Sequence, residues 1–314
     1  MLRIENRASV VLYNFLKSNK NKFTKPFLLP ANVCPIVPSI FLKADVDFEF
    51  VDIDNSMAIN KAISLSKIET GKYSGICFVH AYGKLFDNES FYTELKSKGD
   101  DICIIDDRCL CVPDVELTNT GRSDLILYST GYSKYVDLGY GGWGVIKDSY
   151  KYNPQILDYN EIDFQDFLKH QKYSLENKTR FLLPKIQWLN SRKFELKPKD
   201  YFERVTRALE KVRIQKTRLN NIYKTELPSE IQLSDEYNSW RFNILVKDRA
   251  LVLKSIFDNG LFAGTNYPSV AHMFKGETAL IAEKYEKKIV NLFNDFRFDE
   301  EQAHEVCRII NKSF

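Results

Sequence analysis

A lysine and a serine follow an apolar run closely in the middle of this chain. Residues 125–146 read LILYSTGYSKYVDLGYGGWGVI. This pattern predicts a buried strand, a turn that carries Ser129 and Lys134, a glycine-rich loop and a second strand. Lys134 would then lie at the mouth of a sheet rather than on a solvated helix face, where its amine could form a Schiff base with an aldehyde cofactor.

A pair of carboxylates follows another apolar run. Asp106 and Asp107 come directly after the sequence ICII, and open α/β sheets bind ligands at the carboxyl ends of their strands. With Ser129 and Lys134, one crevice would hold an amine for a Schiff base, a carboxylate for a ring nitrogen and a hydroxyl for a phosphate. These are the groups that pyridoxal phosphate requires. Taken singly, each has an ordinary explanation as a solvated lysine, a capping aspartate or a turn serine.

The elements around these residues alternate between strand and helix. Helices are predicted at residues 10–16 and 35–43, and strands at residues 27–29, 47–51, 74–80, 102–105, 125–129 and 142–146. Short apolar strands separated by helical segments indicate an α/β fold with a largely parallel sheet covered on both faces. We assign this large domain to residues 1–190.

The remaining residues, 191–314, have a different pattern and are predicted to form a smaller C-terminal α+β domain. Residues 198–225 have the spacing of one long amphipathic helix. A strand follows at residues 240–246, with further helices at residues 249–258, 278–288 and 300–310.

Composition limits the classes of function. The chain has 314 residues, 44% hydrophobic and 28% charged, with a formal net charge of +3. These values predict a globular cytoplasmic protein without a nucleic-acid or membrane partner. There is no apolar run of about 18 residues, as a transmembrane helix needs. The six cysteines and four histidines lack the spacing of a metal site or a disulfide framework.

Several segments, in order, resemble the DegT/DnrJ/EryC1/StrS family of sugar aminotransferases. The chain looks like a short, divergent member. The matching segments are LLPANVCPIVPSIFLKADVDFEFVDID (28–54), FVHAYGKLFD (78–87), IIDDRC (104–109) and SDLILYSTGYSK (123–134), followed by GYGGWGVI. The likeness is weaker toward the C-terminus, in WRFNILVKDR and GTNYPSVAH.

This resemblance implies the aspartate-aminotransferase fold, fold type I, with a mostly parallel sheet of the seven-stranded type. Lys134 would be the catalytic residue and hold pyridoxal 5'-phosphate, with Asp107 against the pyridine nitrogen and Ser129 on the phosphate. The implied reaction transfers an amino group, from glutamate as the expected donor, to a keto sugar, expected to be nucleotide-linked. Such reactions belong to polysaccharide or natural-product biosynthesis, and the family's active sites imply a homodimer.

The chain also departs from the family pattern. It begins later than the usual N-terminal arm, and Asn6-Arg7-Ala8-Ser9 takes the place of the phosphate-binding Gly-Thr turn. Arg7 and Ala8 are therefore candidate phosphate contacts. Cys34 stands where many members stack an aromatic ring on the cofactor, and Leu110 stands where Gln or His is common. These departures leave two alternatives open: another reaction on a sugar, such as dehydration, or a degenerate member that binds without catalysis.

Other polar and aromatic residues have a functional and a structural interpretation each. His80 could polarise a ligand or be a hydrogen-bonded structural histidine, and His272 lies in a loop that in such folds approaches the substrate. Arg241 could meet a carboxylate or phosphate of a ligand, or form a structural ion pair. Four aromatic residues crowd the lysine turn and could line a pocket or pack in the core or a dimer interface: Tyr132, Tyr135, Tyr140 and Trp143.

Overall fold

The fold is centred on a seven-stranded sheet. The computed structural model describes residues 1–117 and 121–312. The strands are β1 (Leu2–Glu5), β2 (Phe27–Pro30), β3 (Phe48–Val51), β4 (Gly75–Val79), β5 (Cys103–Asp107), β6 (Leu125–Ser129) and β7 (Gly142–Ile146). Their order across the sheet is β1-β7-β6-β5-β4-β2-β3. The pairs from β3 through β6 are parallel, whereas β7 is antiparallel to both of its neighbours, β6 and β1.

Helices cover both faces of this sheet. They are α1 (Ala8–Ser18), α2 (Ile36–Ala44), α3 (Lys61–Glu69) and α4 (Glu89–Lys98). Side chains of α1 and α2 share a core with Cys103 and Ile105, while those of α3 and α4 share another core with Ile104. Successive residues of β5 therefore face opposite layers, as a strand's period of two requires.

The rest of the chain supplies six helices and a two-stranded sheet. These elements are α5 (Glu161–Glu176), α6 (Pro198–Glu226), β8 (Phe242–Leu245), α7 (Arg249–Asp258), α8 (Ala271–Phe274), α9 (Leu280–Glu286), β9 (Ile289–Leu292) and α10 (Glu300–Asn311). Strands β8 and β9 pair antiparallel. A separate apolar core includes Leu219 of α6, Phe242 of β8, Ile256 of α7 and Val306 of α10.

One C-terminal segment returns to the large sheet. The amide of Val270 donates to the carbonyl of Ala31 at 2.8 Å, and the amides of Ile281 and Ala282 donate to the carboxylate of Asp52. The part of the chain after residue 190 thus contributes both to its own core and to the core that α1 and α2 share with the large sheet. The division into domains at residue 190 stays a prediction.

The predicted fold class is confirmed: a mixed α/β chain with a mostly parallel seven-stranded sheet. The long helix predicted at residues 198–225 is α6. Strand β1 was not predicted, because its alternation of apolar and charged residues extends over four residues only. Within residues 1–117 and 121–312, no helix has the length and apolar character needed to cross a membrane.

Candidate active site

A cavity of about 290 Å³ opens at the carboxyl ends of β5 and β6. All the residues predicted for the site line it, namely Arg7, Ala8, Cys34, Asp107, Ser129 and Lys134. They come from five separate stretches of sequence, and the fold brings them together at the edge where open α/β sheets bind ligands.

Asp107 is the carboxylate of this cavity. It is the last residue of β5 and points to the same face as Cys103 and Ile105, because strand side chains alternate. Its Oδ1 accepts a hydrogen bond from the amide of Cys109 at 2.9 Å. The side chain is 7% exposed, so a ligand that donates a hydrogen bond or carries positive charge would find it largely desolvated.

Ser129 and Arg7 form a polar part of the cavity lining. Ser129 ends β6, and its Oγ accepts from the amide of Gly131 at 3.2 Å. A Cβ at Gly131 would lie 3.1 Å from Nη1 of Arg7 and 3.4 Å from Oγ of Ser129. The guanidinium, the hydroxyl and the backbone of residue 131 therefore surround one small space suited to an anion.

Helix α1 begins at this same end. Arg7 is its N-cap residue and, within the part of the chain that the structure describes, makes no side-chain capping bond. Ala8 and Ser9 line the cavity. Because the first amides of a helix lack intrahelical acceptors, and because the helix dipole favours negative charge there, a phosphate would complete this helix start.

A glycine allows α1 to approach so closely. A Cβ at Gly142, the first residue of β7, would lie 2.4 Å from the amide nitrogen of Ala8. Any larger residue would push the helix start away from the sheet. The glycine-rich sequence after Lys134 thus serves the approach of α1, a role that was not predicted.

Lys134 is the amine of the cavity. It is half-buried in the loop between β6 and β7, and its Nζ has neither a hydrogen bond nor an ion pair with the residues that the structure describes. Most buried or half-buried lysines here have such a partner. Lys96, for instance, donates to Asp124 at 2.7 Å. Lys134 therefore presents an uncommitted amine to the cavity.

Two thiols lie beside these groups. Burial raises the pKa of Cys34, although the nearby charge of Lys134 opposes the shift. Burial, assisted by Asp107, raises the pKa of Cys109 well above its ordinary value. Both are therefore thiols rather than thiolates near neutral pH. Leu110 packs in the apolar core instead, so Cys109, which was not predicted, is the cavity residue of this turn.

The wall away from the sheet is largely apolar and was not predicted. It is formed by Leu12, Ile36, Val37 and Ile40 of the first two helices, and by Tyr159, Phe164, Trp188, Leu189 and Asn190. The second group lies in a charge-rich, aromatic segment with no local motif. Trp188 stacks on Phe167 with ring centroids 4.0 Å apart, and its buried indole N–H has no acceptor among the described residues.

For His80 and Arg241 the structural interpretation holds. The Nε2 of His80 pairs with Asp106 at 2.7 Å, and Arg241 pairs with Asp295. His272 lies on α8 and does not line the cavity. Of the four aromatic residues near Lys134, Tyr132 lines the cavity and is 68% exposed, with the Arg7 guanidinium 4.8 Å from its ring centre.

The donor set matches pyridoxal phosphate at three points. An uncommitted amine, a desolvated carboxylate and an uncapped helix start with a nearby guanidinium lie around a single cavity. The amine suits the cofactor's aldehyde, the carboxylate its ring nitrogen and the helix start its phosphate. The fit is poorer at the expected place of the stacking ring, where Cys34 offers a smaller surface, and at Leu110, which packs in the apolar core.

Comparison with known proteins identifies the fold. No family profile matches the chain, and no curated protein matches it in sequence. Among solved structures, PseC of Helicobacter pylori, an aminotransferase involved in the biosynthesis of pseudoaminic acid, superposes with a TM-score of 0.71 at 14% identity, over 100% of this chain and 86% of the other.

Two further structures match over a similar extent. A DegT DnrJ EryC1 StrS aminotransferase from Brucella abortus has a TM-score of 0.67 at 14% identity, covering 99% of this chain and 85% of the other. A GDP-4-keto-6-deoxymannose-3-dehydratase, ColD, has a TM-score of 0.63 at 16% identity, covering 98% and 88%. The chain therefore has the fold of the sugar aminotransferases, fold type I.

Proposed function

We propose that this protein is a pyridoxal-phosphate-dependent aminotransferase that acts on a keto sugar. The observation that carries the proposal is the uncommitted amine of Lys134 in one cavity with Asp107, Ser129 and the uncapped start of α1. The similarity of the fold to that of sugar aminotransferases supports the same function. When bound, the cofactor would supply an electron sink for chemistry at an amine-bearing carbon.

Each protein group has a distinct task in this proposal. Lys134 would hold the cofactor through its aldehyde and, once displaced by an amino donor, move protons as a general base and acid. Asp107 would keep the ring nitrogen protonated. Ser129, Arg7 and the amides of Ala8 and Ser9 would hold the phosphate, and Cys34 would border the ring.

The cavity wall suits a sugar. Tyr132 and Tyr159 are among the residues that line it, and the C–H face of a sugar ring packs well against aromatic side chains. A nucleotide-linked sugar, glutamate as donor, a homodimer and a place in polysaccharide or natural-product biosynthesis belong to the same proposal and rest on the family resemblance.

The test is the visible absorption of the purified protein with pyridoxal phosphate, before and after borohydride. The wild type should gain a yellow band that borohydride converts into a covalent attachment at Lys134. Lys134→Ala should show neither. Lys169→Ala is the matched control, because Lys169 is exposed on α5 and its ion pair with Asp166 lies at the surface.

The outcomes separate the alternatives. No band in the wild type would contradict the proposal and leave a protein of this fold that binds without this cofactor. A band without amino transfer from any amino acid, but with loss of water from a keto sugar, would favour dehydration.

A further inference from the structure

The loop that carries Lys134, here called the lysine loop (residues 130–141), is attached to the C-terminal part of the chain. The indole Nε1–H of Trp240 donates to the carbonyl of Ser133 at 2.6 Å. Ser133 directly precedes Lys134 and has a φ of 58°, a left-handed conformation that a serine adopts only when its surroundings hold it there. Its amide donates to Asp137 at 2.8 Å.

A chain of ion pairs makes a second attachment. Nη2 of Arg297 contacts Asp137 at 2.5 Å, and Nη1 contacts Asp295 at 2.8 Å. The same carboxylate of Asp295 pairs with Arg241. Two carboxylates and two guanidinium groups thus lie together with no net formal charge.

Lys216 of α6 is that further charge. Its side chain is 3% exposed, and its Nζ donates to the carbonyl of Trp240 and to Oδ1 of Asn294, each at 2.7 Å. Both acceptors are neutral. The amine also lies 5.1 Å from the ring centre of Tyr135 in the lysine loop. A continuous path therefore runs from Lys216 through Trp240 to the backbone next to Lys134.

The surroundings of Lys216 disfavour its proton. Burial lowers the pKa of Lys216 to about 7, and the positive charges of Arg241 and Arg297 act in the same direction. The negative charge of Asp295 opposes the shift. Several titratable and charged groups among the described residues face this cluster: Tyr135 and Asp137 of the lysine loop, Arg213 and Tyr223 of α6, Arg241 before β8, Tyr267, and Asp295 and Arg297 after β9.

We propose that Lys216 is a positioning residue for Lys134: through Trp240 it fixes the backbone of the lysine loop, and its protonation state sets how firmly that loop is held. When the cluster opens, Lys216 meets water and binds a proton more readily. Raising the pH from about 7 toward 10 should therefore make opening rarer, by at most about tenfold per pH unit.

The direct test is hydrogen exchange of residues 131–139, divided by intrinsic rates, on protein without added cofactor. Lys216→Met should speed this exchange about threefold or more at pH 8, because Trp240 loses its partner. Lys211→Met, at an exposed position on the same helix, should leave it unchanged. The wild type should become better protected between pH 7 and 9, and Lys216→Met should lose that pH dependence.

A second variant tests the next step of the path. Trp240→Phe keeps the carbonyl that Lys216 binds but removes the donor to Ser133. It should also speed exchange in residues 131–139, while thermal unfolding should keep its dependence on pH. If Lys216→Met fails to fold, Trp240→Phe alone tests the proposal. Unchanged exchange in the lysine loop of Trp240→Phe would then overturn the coupling between Lys216 and that loop. Unchanged exchange or an unchanged pH profile in a folded Lys216→Met would overturn it directly.

This role rests on the proposed function because Lys134 is taken as the reacting residue. The rate at which the yellow band appears after mixing with pyridoxal phosphate links the two, and it should fall about threefold in Lys216→Met but not in Lys211→Met. If no band forms in any variant, the proposed function fails while the exchange data still show whether Lys216 holds the loop. If the band forms at equal rates in all, the positioning role fails alone.

Discussion

The two faces of strand β5 treat neighbouring carboxylates differently. Asp106 is fully buried and accepts from His80 at 2.7 Å, from Arg108 at 2.8 Å and from Tyr92 at 2.9 Å. Asp107, on the cavity face, accepts from the backbone amide of Cys109 and contacts the Cys109 thiol, and no charged group pairs with it among the described residues. The hydrogen-bonding capacity of Asp106 is therefore taken up within the protein, whereas Asp107 can still accept hydrogen bonds from a ligand.

The lysines show the same contrast. The Nζ of Lys216 donates to two acceptors at 2.7 Å. The Nζ of Lys134, which lines the cavity, has no partner within the described residues. A folded protein usually satisfies its buried polar groups. Groups that are left unsatisfied together in one cavity therefore mark a site better than any one residue type does.

Of the changes that test this comparison, Asp107→Asn should have the largest effect on the rate of amino transfer. An amide cannot hold the proton on a ring nitrogen as a carboxylate does, so amino transfer should fall about 10²–10⁴-fold. The thermal midpoint should change little, because Asp107 makes few bonds. Steady-state rates and calorimetry on the same preparation measure both. A large loss of stability with retained turnover would reverse the roles assigned to the two carboxylates.

The matched change on the other face is Asp106→Asn. It leaves the buried Arg108 without its counter-charge, and breaking such a pair costs about 3–5 kcal/mol of unfolding free energy. Urea unfolding measures the loss. The variant that remains folded should still give the absorption band with pyridoxal phosphate, since Asp106 does not line the cavity. Loss of the band in folded protein would show that the network reaches the site.

Low pH should reduce the stability that Asp106 contributes. Burial opposes the ionised form of Asp106, but hydrogen bonding and charge from His80, with the charge of Arg108, lower its pKa below the ordinary 3.8. Its contribution to stability is therefore complete above about pH 4 and is lost as the pH falls through the lower, folded value. Thermal midpoints of wild type and Asp106→Asn should converge as the pH falls below 4. Parallel curves would contradict this.

Ser129→Ala should have the smallest effect of this series. One hydroxyl among several phosphate contacts is worth about 1–1.5 kcal/mol, so the dissociation constant for pyridoxal phosphate should rise about tenfold. Titration of the absorption band measures it. Ser9→Ala is a useful comparison, because the backbone amide of Ser9 remains, and its effect should be smaller.

Much of the fold could be read from local patterns. The strands β2 to β7 and the helices α1, α2, α6, α7 and α10 fall at or near their predicted positions, since apolar periodicity is a local property. The polar residues of the candidate site were also predictable, because Asp107 and Ser129 end strands, Arg7 precedes a helix and Lys134 follows β6 closely. Strand β1 and the apolar wall were not, since neither carries a local signal.

By itself, the sequence determined that Asp106 and Asp107 face opposite sides of a strand, and that Ser129 and Lys134 follow the next strand at the same edge. Strand alternation and the parallel order of strands suffice for that. Only the tertiary structure decided that α1 approaches β7 over Gly142, that Trp188 and Asn190 close the cavity, and that Lys216 is buried beneath the lysine loop. These contacts join residues far apart in the chain, and they depend on how packed layers meet.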